Sequence, residues 1–137
     1  MSNSQQVLVI GSGAAGMTVA LELSNKHKVS ILSKSAIESG ATWWAQGGIA
    51  SVFDHEDSIE SHYQDTLKAG AGMCHKKTVR AAVERGPEAI RWLVEQGVEF
   101  TQNSSDEYHL TQEAGHSHRR ILHSADATGK EVSASLA

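Results

Sequence analysis

The motif Gly11-Ser12-Gly13-Ala14-Ala15-Gly16 follows directly on the apolar run Val7-Leu8-Val9-Ile10. A continuous run of β-prone residues reads as a parallel strand covered on both faces. In the turn after it, Gly11 permits the tight reversal, Gly13 lets backbone approach a pyrophosphate, and Gly16 allows close helix–strand packing. Met17, Ala20, Leu21 and Leu23 then recur at near-helical spacing up to Lys26-His27-Lys28. Val29-Ser30-Ile31-Leu32 reads as a second strand, with Ile31 and Leu32 as its core residues. The unit is βαβ with a right-handed crossover, and its helix N-terminus turns free N–H groups toward a phosphate. The motif leaves the dinucleotide open. An acid commonly ends the second strand to bind ribose; here Ser33-Lys34 stand there, and the nearest acid is Glu38. The ribose contact falls to a hydroxyl, the backbone or the lysine, and Lys34 equally suits a 2′-phosphate.

Composition narrows the class. With 137 residues the chain is the size of one ordinary domain. Its 39% hydrophobic content supports a core, and its net charge of −4 argues against a general nucleic-acid-binding surface. The single cysteine, Cys74, excludes an internal disulfide framework and fits a reducing, cytoplasmic setting. No apolar run approaches the roughly 18 residues that span a bilayer. The start, MSNSQQ, lacks the basic region of a secretory signal.

Beyond the βαβ unit, Ser39 to Gly48 is turn-rich and ends in Gln46-Gly47-Gly48. Asp57-Ser58-Ile59-Glu60 caps a helix to about Ala69, stopped by Gly70-Ala71-Gly72. Lys76–Arg85 and Pro87–Gln96 read as two consecutive helices, with Pro87 opening the second and Ile90, Leu93 and Val94 its buried stripe. Val98-Glu99-Phe100 suits a short strand, and Thr128-Gly129-Lys130-Glu131 reads as a capping box opening a helix to Ala137.

The segment Ala41-Thr42-Trp43-Trp44-Ala45-Gln46-Gly47-Gly48-Ile49-Ala50 resembles the flavin-contacting segment of the succinate dehydrogenase and fumarate reductase flavoproteins. The later run from Tyr108 through Glu113 and His116-Ser117-His118-Arg119-Arg120-Ile121-Leu122-His123 to Ala125-Asp126-Ala127-Thr128-Gly129 is similar to the L-aspartate oxidase family of that superfamily. The likeness extends from Val7 to the last residue. It implies FAD as the cofactor, held by Gly11 to Gly16, by Ser33 and Lys34, and by Ala41 to Gly48. Respiratory members bond FAD through a histidine at the position of Ala41, so the flavin here is expected to be non-covalent. The resemblance also implies oxidation of L-aspartate to iminoaspartate, with O2 (giving H2O2) or fumarate as acceptor. The product passes to quinolinate synthase in NAD biosynthesis. Glu113 matches an acid that orients the substrate ammonium, and a carboxylate is the natural partner for the one group that separates aspartate from succinate. A fumarate reductase or succinate dehydrogenase flavoprotein is the rival enzyme.

Other residues stay open. His109, His116, His118 and His123 crowd into fifteen residues, and His116-x-His118 would share one face of a strand. No cysteine or carboxylate spacing completes a recognised metal site, so donation to flavin or substrate oxygens is the expected role. Arg119 and Arg120 read equally as dicarboxylate or partner contacts and as an exposed basic pair. Trp43 and Trp44, adjacent in an extended segment, cannot both face one side. Cys74, between helices, reads as an inert thiol despite basic neighbours.

The expected fold is α/β: residues 1–137 are the N-terminal portion of an incomplete Rossmann-like FAD-binding domain, an opening βαβ unit plus a helical segment. The remaining strands, a capping domain and a C-terminal helical domain are expected beyond it. Two strands do not close the core of a dinucleotide fold. The chain alone is therefore expected to expose apolar surface and to be catalytically inactive, either as a truncated product or as a fragment binding nucleotide weakly.

Overall fold

A computed structural model describes residues 4–113 and 115–137. Strand β1 (Gln6–Ile10), helix α1 (Ala14–Ser24) and strand β2 (Lys28–Leu32) form the anticipated βαβ unit. The strands pair in parallel, with Val7 opposite Val29 and Ile10 opposite Leu32. Helix α1 ends before the basic Lys26-His27-Lys28, and its Met17 and Ala20 are buried.

The strand residues are not covered on both faces. Leu8 is 59% exposed, Ile10 79%, Leu32 55% and Ile31 44%. Ile31 and Leu32 are thus not core residues here. The sheet has two strands only, so nothing among the described residues covers its second face.

The core lies elsewhere. Met17 of α1 packs with Ile90, Val98, Phe100, Leu122, Val132 and Leu136, gathered from four later segments. A 3-10 turn at Ile37–Ser39 precedes strand β3 (Ile49–Ala50), which pairs antiparallel with β4 (Ile121–Leu122). Helix α2 (Ile59–Ala69) starts on Ser58, whose hydroxyl accepts the Ser61 N–H at 3.1 Å. Helix α3 (Lys76–Glu95) and helix α4 (Thr128–Leu136) complete the order.

Helix α3 runs unbroken through Pro87, where two helices were expected. Proline removes one intrahelical hydrogen bond. Val83 and Ile90, seven residues apart on one face, are both buried, and burial on both sides of the proline keeps the two halves in one helix. Val98 and Phe100 are buried but join no ladder; Glu99 instead donates its N–H to Glu131 Oε1. Alternating burial there reflects packing rather than strand pairing. The capping box before α4 does not form either. Ala127 is the N-cap, and Thr128, inside the first turn, accepts the Ser124 N–H at 3.1 Å through Oγ1.

Candidate functional site

The glycine turn sits at the mouth of α1. Gly11, at φ +115°, has open space where a Cβ would stand, whereas a Cβ on Gly16 would collide with the Gly11 carbonyl. Gly13 is the N-cap of α1 and supplies no side-chain cap. Thr42 Oγ1 accepts the Ala14 N–H at 3.2 Å. Among the described residues, the N–H groups of Ala15 and Gly16 have no partner. This is a helix N-terminus with donors and a positive dipole end facing outward.

The other anticipated residues gather around it. Ser33 Oγ donates to the Ser35 carbonyl at 2.6 Å and so accepts from Ser12 Oγ, 2.7 Å away. Lys34 is exposed beside them. The segment from Ala41 to Gly48 is held from three sides. Thr42 ties it to α1. The Gly129 N–H donates to the Ala45 carbonyl at 2.9 Å, tying it to α4. Gly48 lies so close to β4 that a Cβ there would strike the Leu122 carbonyl. Gly47 faces open space, and Ala41 and Gln46 are exposed. Trp43 is half-buried, with Lys130 Nζ 5.7 Å from its ring centre, while Trp44 is 71% exposed, so the two neighbours do face different ways. Outward N–H donors, hydroxyls and open glycine backbone form a donor set suited to the pyrophosphate and ribose of FAD.

Gly129 is no part of a capping box. Its role is contact: a Cβ would meet the Thr42 carbonyl, and Ala45 backbone at 2.8 Å. A glycine inside the first turn of a helix was the available signal, since glycine there costs about 1 kcal/mol against alanine unless packing requires it.

His116 and His118 lie in a loop rather than a strand, so they share no strand face. The loop is organised around Arg120, which is fully buried and therefore no part of an exposed basic pair. Arg120 donates from Nε and Nη2 to both oxygens of Asp57, each at 2.8 Å, and from Nη1 to Asp65 at 2.8 Å. Its fork is saturated internally, so it has no donor geometry left for a dicarboxylate. Arg119 is exposed. Ser117 donates its N–H and its Oγ to Asp65, at 2.8 and 2.7 Å. His118 Nδ1 stands 3.5 Å from Asp57, and the His116 ring lies 5.6 Å from the ring of buried His62. His109 Nδ1 and His123 Nε2 are 2.9 Å apart near the surface. Among the described residues no three His, Cys, Asp or Glu side chains gather as metal ligands. Cys74, half-buried, donates to the Thr66 carbonyl at 3.7 Å.

Glu113 is exposed, its carbonyl accepting the His116 N–H at 3.2 Å. Its carboxylate makes no hydrogen bond among the described residues.

Two titrations follow from this cluster. Burial works against the Asp65 carboxylate, but the Ser117 hydrogen bonds and Arg120 outweigh it and hold its pKa down to about 2. Burial, then the charge of Arg120 and His116, push the His62 pKa below its ordinary 6.5. An acid depressed in the folded state adds stability above its unfolded pKa of 3.8 and loses it as pH falls toward about 2. A depressed histidine means the unfolded chain binds the extra proton, so stability also falls as pH drops below 6.5. Denaturant unfolding is therefore expected to show two acid-side losses, the first removed by His62→Gln and the second by Asp65→Asn. A pH profile unchanged by either substitution would contradict this.

Residues 6–137 match the FAD binding domain family. The chain belongs to that family. FAD is thus its cofactor. Among curated relatives, the L-aspartate oxidase of Pseudomonas aeruginosa is 54% identical over 133 residues, covering 92% of this chain and 25% of the relative. That of Vibrio cholerae is 56% identical over 135 residues, covering 95% and 25%. The chain thus spans about a quarter of the length of these relatives. Among solved structures, Mycobacterium smegmatis Sdh1 in complex with UQ1 matches with TM-score 0.89 at 25% identity, over 97% of this chain and 23% of that one. An E. coli quinol fumarate reductase FrdA carrying E245Q matches with TM-score 0.87 at 25% identity, over 96% and 24%. The α/β, partial Rossmann-like fold agrees with these matches. Among the described residues no helix is long and apolar enough to cross a membrane.

Proposed function

We propose that this FAD binding domain is the N-terminal portion of an L-aspartate oxidase acting in the cytoplasm. The observation that carries the cofactor half is the junction at Thr42, which joins the glycine turn to the second glycine segment through the Ala14 N–H. Gly11, Ser12, Gly13, Ala14, Ala15 and Gly16 hold the pyrophosphate against the α1 N-terminus. Ser33 and Lys34 reach the ribose. Backbone from Ala41 to Gly48 lies along the ring, where Ala41 offers no nucleophile, so attachment is non-covalent. FAD, when bound, supplies the two-electron acceptor for amine oxidation.

Glu113 accepts the substrate ammonium, orienting L-aspartate for loss of two electrons and two protons to give iminoaspartate. O2, yielding H2O2, or fumarate takes up the electrons, and quinolinate synthase receives the product. The relatives named L-aspartate oxidase support the substrate. Exposed Leu8, Ile10 and Leu32 support further strands of the same FAD domain packing on this sheet. A capping domain and a C-terminal helical domain follow in the same reading, and the 137 residues alone are inactive.

Two measurements test this. FAD titrated into the chain is expected to lose fluorescence on binding, and Thr42→Val to weaken binding by about fivefold, the worth of one hydrogen bond of about 1 kcal/mol. A chimera with residues 1–137 in place of the matching quarter of the Pseudomonas aeruginosa enzyme is expected to release peroxide with L-aspartate. Activity with succinate but not aspartate would instead favour the fumarate reductase and succinate dehydrogenase reading.

A further inference from the structure

The loop that carries Glu113 is fastened at its far end by groups on α2 and just before β4. The Glu113 carbonyl accepts the His116 N–H, and Gln112 Nε2 donates to the His116 carbonyl at 2.7 Å, closing the loop on itself. The next residue, Ser117, gives both its donors to Asp65 on α2. Arg120 then spans Asp65 and Asp57 with three charge-assisted bonds, and Ser61 Oγ accepts a further one at 3.2 Å. Downstream, Ile121 and Leu122 enter the β3–β4 ladder, which backs the segment ending in Gly48. Asp65 therefore joins the acid-bearing loop to α2 through main chain and side chain, with Ser61 Oγ of the same helix 3.0 Å from Ser117 Oγ.

Stability alone does not call for this arrangement. A buried ion triad is often no more stabilising than apolar residues of the same volume. What the triad adds is direction: a planar fork bonded to two carboxylates fixes the height and angle of the loop where a greasy contact would let it slide. Asp65 also receives a backbone N–H, so it sets main-chain position and not only a side chain.

We propose that Asp65, with Asp57 and Arg120, is a positioning residue that sets the place of the Glu113 loop, and so the enzyme's grip on the amino group of its substrate. This rests on the reading of Glu113 given above. Asp65 touches no substrate; it acts through Ser117. Loss of the clamp weakens recognition of the ammonium in ground state and transition state alike, which raises KM for aspartate while leaving kcat in place. Fumarate has no amino group, so its reduction is spared.

The test has a structural arm and a kinetic arm. In the chain itself, deuterium exchange at the Ser117 amide is expected to rise about tenfold in Asp65→Ala, with α1 unchanged, because the donor loses its half-buried acceptor. Asp65→Asn keeps an oxygen for that N–H and is expected to recover part of the protection. In the chimera, Asp65→Ala is expected to raise KM for L-aspartate about tenfold with kcat within about twofold, and to leave unchanged the reduction of fumarate driven by a reduced viologen dye in place of aspartate. Asp65→Asn is expected to lie between. If the unsubstituted chimera oxidises aspartate but Asp65→Ala keeps its KM, or loses kcat on aspartate and fumarate together, the positioning role is overturned and the reading of function stands. If the unsubstituted chimera ignores aspartate, the reading of function fails and the substrate role falls with it, whatever the exchange data show.

Discussion

Replacing Arg120 by alanine is expected to destabilise the chain by about 3–5 kcal/mol, the cost of stranding a buried charge whose partner has been removed. Asp57 has no exposed side-chain surface, and its two oxygens are both committed to Arg120. Without the guanidinium, that carboxylate keeps only His118 nearby and the Ser58 N–H, at 2.7 Å. Arg120→Met is expected to cost as much, since it too strands the acids, whereas pairing it with Asp57→Leu is expected to recover part of the loss. The loss is expected to shrink as pH falls, because Asp65, no longer held down by Arg120, takes up a proton more readily. Urea unfolding across pH measures this; an Arg120→Ala variant within about 1 kcal/mol of the parent would show that the triad is not holding charge in place.

Gly129→Ala is expected to destabilise as well, against the intrinsic preference of a helix. Alanine is favoured over glycine in a helix by about 1 kcal/mol. At this position the added methyl would land on the Thr42 carbonyl and within 2.8 Å of the Ala45 Cβ and carbonyl. These are backbone atoms or a side chain with nowhere to rotate, so α4 and the segment from Ala41 to Gly48 must part. Forced repacking of this kind costs about 1–3 kcal/mol, and here also strains the Gly129 N–H bond to Ala45. A net loss of about 1–2 kcal/mol follows. Because Thr42 sits on the α1 N-terminus, FAD affinity is expected to fall about tenfold alongside. Thermal unfolding and FAD titration of the same variant check both. A stabilised variant with unchanged affinity would mean that the two segments separate freely.

The two substitutions differ in how visible their targets are in the amino-acid order. Gly11, Gly13 and Gly16 declare themselves, because their spacing after an apolar strand has one common use and all the contacts are local. The start of α2 on Ser58 is equally local. Arg120 did not declare itself: next to Arg119 it reads as half of a basic pair, and its partners Asp57 and Asp65 lie 63 and 55 residues away. Pro87 misled for a related reason. Its local effect is to end a helix, but Val83 before it and Ile90 after it are both buried, and packing of both halves holds α3 through it.

Apolar content misled in another way. Ile31 and Leu32 have the composition of core, yet core needs two sides, and the second side of this sheet is missing among the described residues.

The amino-acid order alone therefore determined the βαβ opening, the glycine turn at its helix N-terminus, the second glycine segment and the family they resemble. Each rests on residues a few positions apart, whose backbone geometry follows from glycine, periodicity and capping. Only the tertiary structure decided which charges are buried, that Gly129 is a contact point, and that Asp65 fastens the loop of Glu113. Those outcomes depend on which distant segments meet, and on the cost of burying a charge without a partner, which no local pattern records.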